Sequence, residues 1–447
     1  MYVKNIKMIT AVGAVLALAA ACGPKGGGVT GADGKGKGTG TGPKGAGTGA
    51  GATGPKIETH ADGTVDVVSA KTVDVSDATK EAFMKVKASY EDAKKAGTLK
   101  AKCDSIAGDF KELTEKDPTF LAGAFNYAAI ELECGNESVA ETAFRDMVKR
   151  YPDYGRAYGG IGSLLYKHGK ESEARDWITK CLEKDPTVVE CNLDMASMLF
   201  DDYEKTKSAD VLKDAVKRIR TALAVDASSM AAYALFAYVY YTLGQYRLAG
   251  LVCQQAKKYD DSYAPIYNVL GLIELANKNV TAALAHFKTA VAKDPDYVPG
   301  LINWGAITIN YRDYDTAIDK FERALKIGGD DYDVWITLGV AYRGKATAIA
   351  EPTSPERRGW LKKAEDAYTK ASSMRKDEAG PYYNLGLLWE NYKYTDDEKK
   401  NLSTAISMYD KFLSMIPKDA KSMEKLKKDA ERRKKGATDL LKVLSTP

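Results

Sequence analysis

Cysteine and histidine are the residues from which reactive sites are most readily built, and this chain of 447 residues has six of the one and three of the other. His60, His168 and His286 stand far apart, with no metal-ligand spacing between them and no nucleophile placed to pair with one. Neither Cys-x-x-Cys nor Gly-x-Ser-x-Gly occurs. The stretch from Gly31 to Gly38 has the glycines and lysines of a phosphate loop, but lacks its closing Ser/Thr and a flanking strand and helix. Asp201-Asp202 and Asp396-Asp397-Glu398 read as solvated loop acids, not as a calcium site. No catalytic, metal-binding or cofactor-binding residue follows, and an enzyme acting on a small-molecule substrate is disfavoured.

The elements that would have to position any such group repeat along the chain. Pro118, Pro152, Pro186, Ala227, Asp261, Pro295, Gly329, Lys376 and Pro417 mark steps of 34 residues, three of them lengthened by 7, 13 and 7. From Pro152 on, each marker is preceded twelve residues earlier by Ala140, Ala174, Ala215, Ala249, Ala283, Ala317, Ala364 or Ala405. Four residues after each alanine comes Phe144, Ile178, Ile219, Cys253, Phe287, Phe321, Tyr368 or Tyr409. A small-residue slot in the preceding segment reads Ala128, Gly162, Ala196, Ala237, Gly271, Gly305, Gly339 and Gly386. Small side chains let two helices cross closely, and the apolar knob fills the space beside them. A period of 34 with this grammar predicts helical hairpins, each leaving an apolar face that only a stacked neighbour covers.

The run Trp335-Ile336-Thr337-Leu338-Gly339-Val340-Ala341-Tyr342 and its counterparts resemble tetratricopeptide repeats, and the resemblance extends over residues 87–417. It implies an all-α superhelical solenoid of eight to nine repeats. Residues 57–86 form an N-terminal segment before it and 418–447 a polar capping helix, with Met423, Leu426 and Ala430 on its apolar side. Within the N-terminal segment, Val65–Val68 and Thr72–Val75 are β-prone, and Ser76 and Asp77 suit a helix N-cap. In this register Cys103 opens one helix and Cys134 closes the antiparallel next one, so both lie at the same end of the pair. Cys181 and Cys191 flank the Asp185-Pro186 turn. Disulfides Cys103–Cys134 and Cys181–Cys191 are expected, with Cys253 unbridged in a knob position; the alternative is five core thiols. Bridges would suit an oxidising compartment.

Residues 1–21 carry Lys4 and Lys7 before an apolar run, the pattern of a secretory signal too short for a membrane span. Its end, Leu18-Ala19-Ala20-Ala21-Cys22, resembles the bacterial lipoprotein box, with Ala19 where Leu is commonest. The resemblance implies lipidation of Cys22 and, since Gly23 and not Asp follows, delivery to the outer membrane facing the periplasm. An ordinary signal cleaved near Ala21 is the alternative. Residues 22–56 hold 15 glycines and no bulky apolar residue beyond Val29. They read as a flexible tether with a reach of about 30–35 Å. The lysines of signal and tether account for the net charge of +4, so the folded body is slightly acidic. No nucleic-acid partner is expected of it.

Inner-face positions of the first helices read Phe125, Tyr166, Phe200, Tyr238, Tyr241, Leu272, Ile302, Ile309, Ile336 and Tyr383, with Arg156, Ser163, Leu193 and Ser197 among them. This is an apolar, tyrosine-flecked groove suited to an amphipathic helix or extended segment of another protein. A carboxylate clamp would need several cations there. Asn126, Asn268, Asn303 and Asn384 match its Asn slot, but the cations are missing. A second reading has the N-terminal segment covering the groove. The insertion from Gly344 to Arg357 lengthens one hairpin, either for specificity or without a role. Box, tether and repeats together resemble the outer-membrane tetratricopeptide lipoproteins of deltaproteobacteria, among them one serving gliding motility in myxobacteria. That implies a non-catalytic protein–protein interaction scaffold holding envelope proteins through its concave face. A pilotin-like escort for an outer-membrane pore or β-barrel is the alternative, although such proteins carry fewer repeats and no long glycine tether.

Overall fold

A computed structural model of the chain describes residues 56–59, 65–68, 76–118, 120–351, 353–391, 397–416 and 423–445. The signal sequence, Cys22, the tether through residue 55, Thr72–Val75, Pro352, Asp396 and Pro417 lie outside the described residues. Two short strands come first, β1 (Lys56–Thr59) and β2 (Val65–Val68). Nineteen helices follow among the described residues. They begin with α1 (Asp77–Lys95), α2 (Leu99–Lys116), α3 (Leu121–Glu133), α4 (Glu137–Arg150), α5 (Gly155–Lys167), α6 (Glu171–Lys184) and α7 (Val189–Thr206). Next are α8 (Ala209–Val225), α9 (Met230–Thr242), α10 (Tyr246–Ala256), α11 (Ala264–Ala276), α12 (Val280–Lys293) and α13 (Val298–Asn310). The last are α14 (Tyr314–Gly328), α15 (Tyr332–Ala348), α16 (Pro355–Met374), α17 (Gly380–Asn391), α18 (Glu398–Met415) and α19 (Glu424–Ser445).

The helices pair in chain order as hairpins, from α1 with α2 to α17 with α18, and α19 packs on α18. They fall into two compact units, one reaching Asp261 with α1–α10 and one starting at Ser262 with α11–α19. Each unit is a stack of tetratricopeptide-type hairpins. All eight alanines of the repeated slot are 0 % exposed. The knobs beside them are buried as completely, and the small-residue slot explains why. A Cβ on Gly271, Gly339 or Gly386 would lie 2.5 Å from the ring of Phe287, Tyr368 or Tyr409. No real Cβ approaches that closely, so only glycine lets the ring lie flat on the facing helix. The turns of several hairpins hold a left-handed residue: Gly135, Gly169 and Gly244 take φ 91°, 77° and 72°. Lys278 and Arg312 hold the same turn at φ 63° and 58°.

Several expectations change. The first hairpin starts at Asp77, within the expected N-terminal segment, because Ser76 Oγ accepts the Thr79 N–H at 3.1 Å and caps α1. β2 pairs antiparallel with β1, placing Ile57 opposite Val67. β2 lies against α8, the second helix of its hairpin, not on the first helices. The first 7-residue insertion extends α7 and α8 instead of forming a loop, so Asp201 and Asp202 are helical, and Asp202 pairs with Arg175 at 2.8 Å. The 13-residue insertion lengthens its hairpin as expected, through α15 and α16, and Ser354 caps the latter. On α19 the buried residues are Ala430 and Ala437, while Leu426 is exposed. Tyr383 Oη donates to Asp429 on that helix at 2.6 Å, and Arg433 reaches Asp429 and Glu390 at 2.7 and 3.1 Å. Burial opposes ionisation of Asp429, but the bonds from Tyr383, Arg432 and Arg433 outweigh it and bring its carboxyl down to about 2.

Candidate functional site

The first unit holds a cleft of about 350 Å³ between α3, α5 and α7, lined also by Asp226, Ser229 and Ala231 at the entry to α9. Its volume falls within the lower range of ligand pockets. Phe125, Leu132, Phe144, Leu164 and Leu193 form its apolar wall. Gly159 and Gly160 hold α5 close to its neighbours, since a Cβ on Gly160 would stand 2.5 Å from Phe144 and one on Gly159 would overlap Cys191 Sγ.

Charged and polar groups line the cleft as well. Arg156 bonds Glu190 at 2.7 Å and lies 5.1 Å from the centroid of Phe125. Lys167 pairs with Glu137 at 2.6 Å, and His168 Nε2 reaches the other oxygen of that carboxylate at 2.9 Å. Ser163 donates its hydroxyl to Asp194, which is 3 % exposed. Asp226 accepts from the Ser228 N–H and hydroxyl at 2.9 and 2.7 Å. Burial pushes the Asp194 carboxyl up to about 7, against the pull of the Ser163 bond and with the help of the Glu190 charge. The second oxygen of Glu190 is buried without a partner. The cleft can hold a ligand by apolar contact and charge; it presents no activated nucleophile.

The expected groove is largely closed. Phe125, Tyr166, Phe200, Tyr238, Leu272, Ile302 and Ile336 are buried, and Tyr241, Ile309 and Tyr383 are half-buried. Successive first helices lie side by side, α3 on α5, α5 on α7, α7 on α9, α11 on α13 and α13 on α15, so these positions form the seam between them. Phe200 meets Tyr238 edge-on at 6.1 Å, Tyr166 Oη donates to Asp201 at 3.2 Å, and Tyr383 serves α19. Of the ten, Phe125 alone lines the cleft, alongside Arg156, Ser163 and Leu193. Glu190, Asp194, Lys167 and Asp226 went unread. One signal was available: Arg156 and Glu190 are opposite charges 34 residues apart, the same slot in adjacent repeats. The clamp-like asparagines serve structure: Asn126 and Asn384 donate to Ala122 O and Gly380 O, and Asn303 donates to Asn268 at 2.9 Å. Cys103 is bonded to Cys134 and Cys181 to Cys191, with Cα separations of 6.0 and 6.5 Å, while Cys253 is buried outside both bridges.

Residues 132–188 match the family model described as tetratricopeptide repeat. The fold is that of the tetratricopeptide repeat. The chain is similar to anaphase-promoting complex subunit 6 of Arabidopsis thaliana, 23 % identical over 235 residues, which are 52 % of this chain and 42 % of that protein. Among solved structures it resembles the APC/C hetero-tetramer Cut9-Hcn1, at TM-score 0.52 and 19 % identity, covering 66 % of this chain and 54 % of that one. It also resembles pilF of Pseudomonas aeruginosa, at TM-score 0.37 and 17 % identity over 52 % of this chain and 96 % of that one. The chain thus spans about half the length of the first two.

Proposed function

We propose that this chain is a non-catalytic scaffold for other proteins, tied by lipid on Cys22 to the periplasmic face of the outer membrane. There it gathers components of an envelope machine of the gliding-motility kind. The observation that carries the scaffold reading is the cleft, which offers apolar surface and charge on rigid first helices without a reactive group. The Arabidopsis relative is by its name a subunit of a complex, which agrees with a role in assembly. Two disulfides support an oxidising compartment. The Leu18–Cys22 box supports the anchor.

The test is mass spectrometry of the mature protein from native membranes, combined with fractionation and cross-linked co-purification. The proposal expects fatty acyl groups on Cys22, outer-membrane recovery, and several stoichiometric envelope partners. A mature chain without lipid refutes the anchor. A single transient pore or β-barrel client would favour an escort instead.

A further inference from the structure

We propose that the cleft of the first unit reads a basic side chain, lysine or arginine, carried by the segment of a partner protein that docks there. This rests on the scaffold reading above. Phe125, Leu132 and Leu164 supply an apolar wall against which the methylene stem of such a side chain packs. The charges of the cleft lining are unequal. Both cations of the lining have a carboxylate at salt-bridge distance, Arg156 with Glu190 at 2.7 Å and Lys167 with Glu137 at 2.6 Å. Asp194, by contrast, is buried and held by the Ser163 hydroxyl, not by a cation, while Asp226 sits at the solvent-exposed rim and accepts from the Ser228 N–H and hydroxyl. The second Glu190 oxygen is buried and unpartnered. A buried carboxylate with neutral donors alone is costly, and removing that cost takes a counter-charge brought beside it. An ammonium or guanidinium supplies it, whereas a carboxylate or phosphate ligand would meet the buried Asp194 and the unpartnered Glu190 oxygen. The upward shift of Asp194 agrees, because burial and the nearby Glu190 charge disfavour its ionised form.

The full chain is panned above neutral pH against a random peptide display library. Binders are resynthesised with each Lys replaced by norleucine and each Arg by citrulline. The expected result is one essential basic residue, whose replacement weakens binding about tenfold or more. Asp194→Asn should weaken the parent peptide by a comparable factor and add nothing to the replaced one, as coupled partners do. Glu190→Gln should weaken the parent peptide in the same direction. Binders indifferent to loss of every basic residue and to both substitutions overturn the basic-residue reading and leave the scaffold reading intact. A fully helical chain that selects no peptide overturns both.

Discussion

Replacing Cys103 and Cys134 together by alanine should weaken the start of the first unit by an amount the geometry sets. The bridge joins α2 to the C-terminal end of α3 and closes a loop of 31 residues. Loop-closure entropy for that length is about 3.5–4 kcal/mol at room temperature. The corresponding figure for the 10-residue separation of Cys181–Cys191 is about 3 kcal/mol. Cys103 is buried while Cys134 is half-buried at the end of its helix, so the two alanines add a small packing loss. In a stack where each hairpin leans on its neighbours, the loss falls first on α1–α4. Hydrogen exchange of the full chain should therefore show faster opening of residues 77–150, by roughly two to three powers of ten, while α5–α10 change less. Reductant should accelerate the same segment in the native chain and leave it unaffected in the double-alanine variant. Equal protection in variant and native chain would refute the reasoning, as would a non-reduced mass without loss of the bridge hydrogens.

Gly271→Ala should destabilise the second unit by about 1–3 kcal/mol through its clash with Phe287, despite a better helix propensity. Gly250→Ala, where a Cβ meets nothing, should instead stabilise the first unit by about 0.5–1 kcal/mol; urea unfolding reads both. Lys278→Gly removes a left-handed side chain from the turn after α11 and should gain up to about 1 kcal/mol in the same assay. The folded chain keeps the Asp194 proton up to about 7, whereas the unfolded chain releases it near the ordinary value for aspartate. Stability of the first unit should therefore fall as pH rises from about 4 to 7 and level off above, and Asp194→Asn should flatten that decline.

The repeated alanines and knobs were legible because a period of 34 leaves each slot in one environment, and Ala140 through Ala405 are indeed all buried. The groove was not legible, because a helical wheel shows which residues share a face but not which of them the next first helix covers. Tyr238 and Ile302 are seam residues for that reason. The cleft acids escaped for a related cause: Asp194 matters through Ser163 on the neighbouring helix α5, a contact that spans repeats. The first 7-residue insertion looked like a loop from its charge, yet whole turns added to both partners of a hairpin preserve its crossing. Asp201 therefore stays on α7.

The most direct measurement places a photo-cross-linking amino acid at Ala129, in the cleft, or at Leu251, exposed on α10, in cells that make the protein. Defined partner adducts are expected from position 129 and none of the same mass from position 251. Adducts from position 251 alone would contradict a scaffold that holds its partners through the cleft.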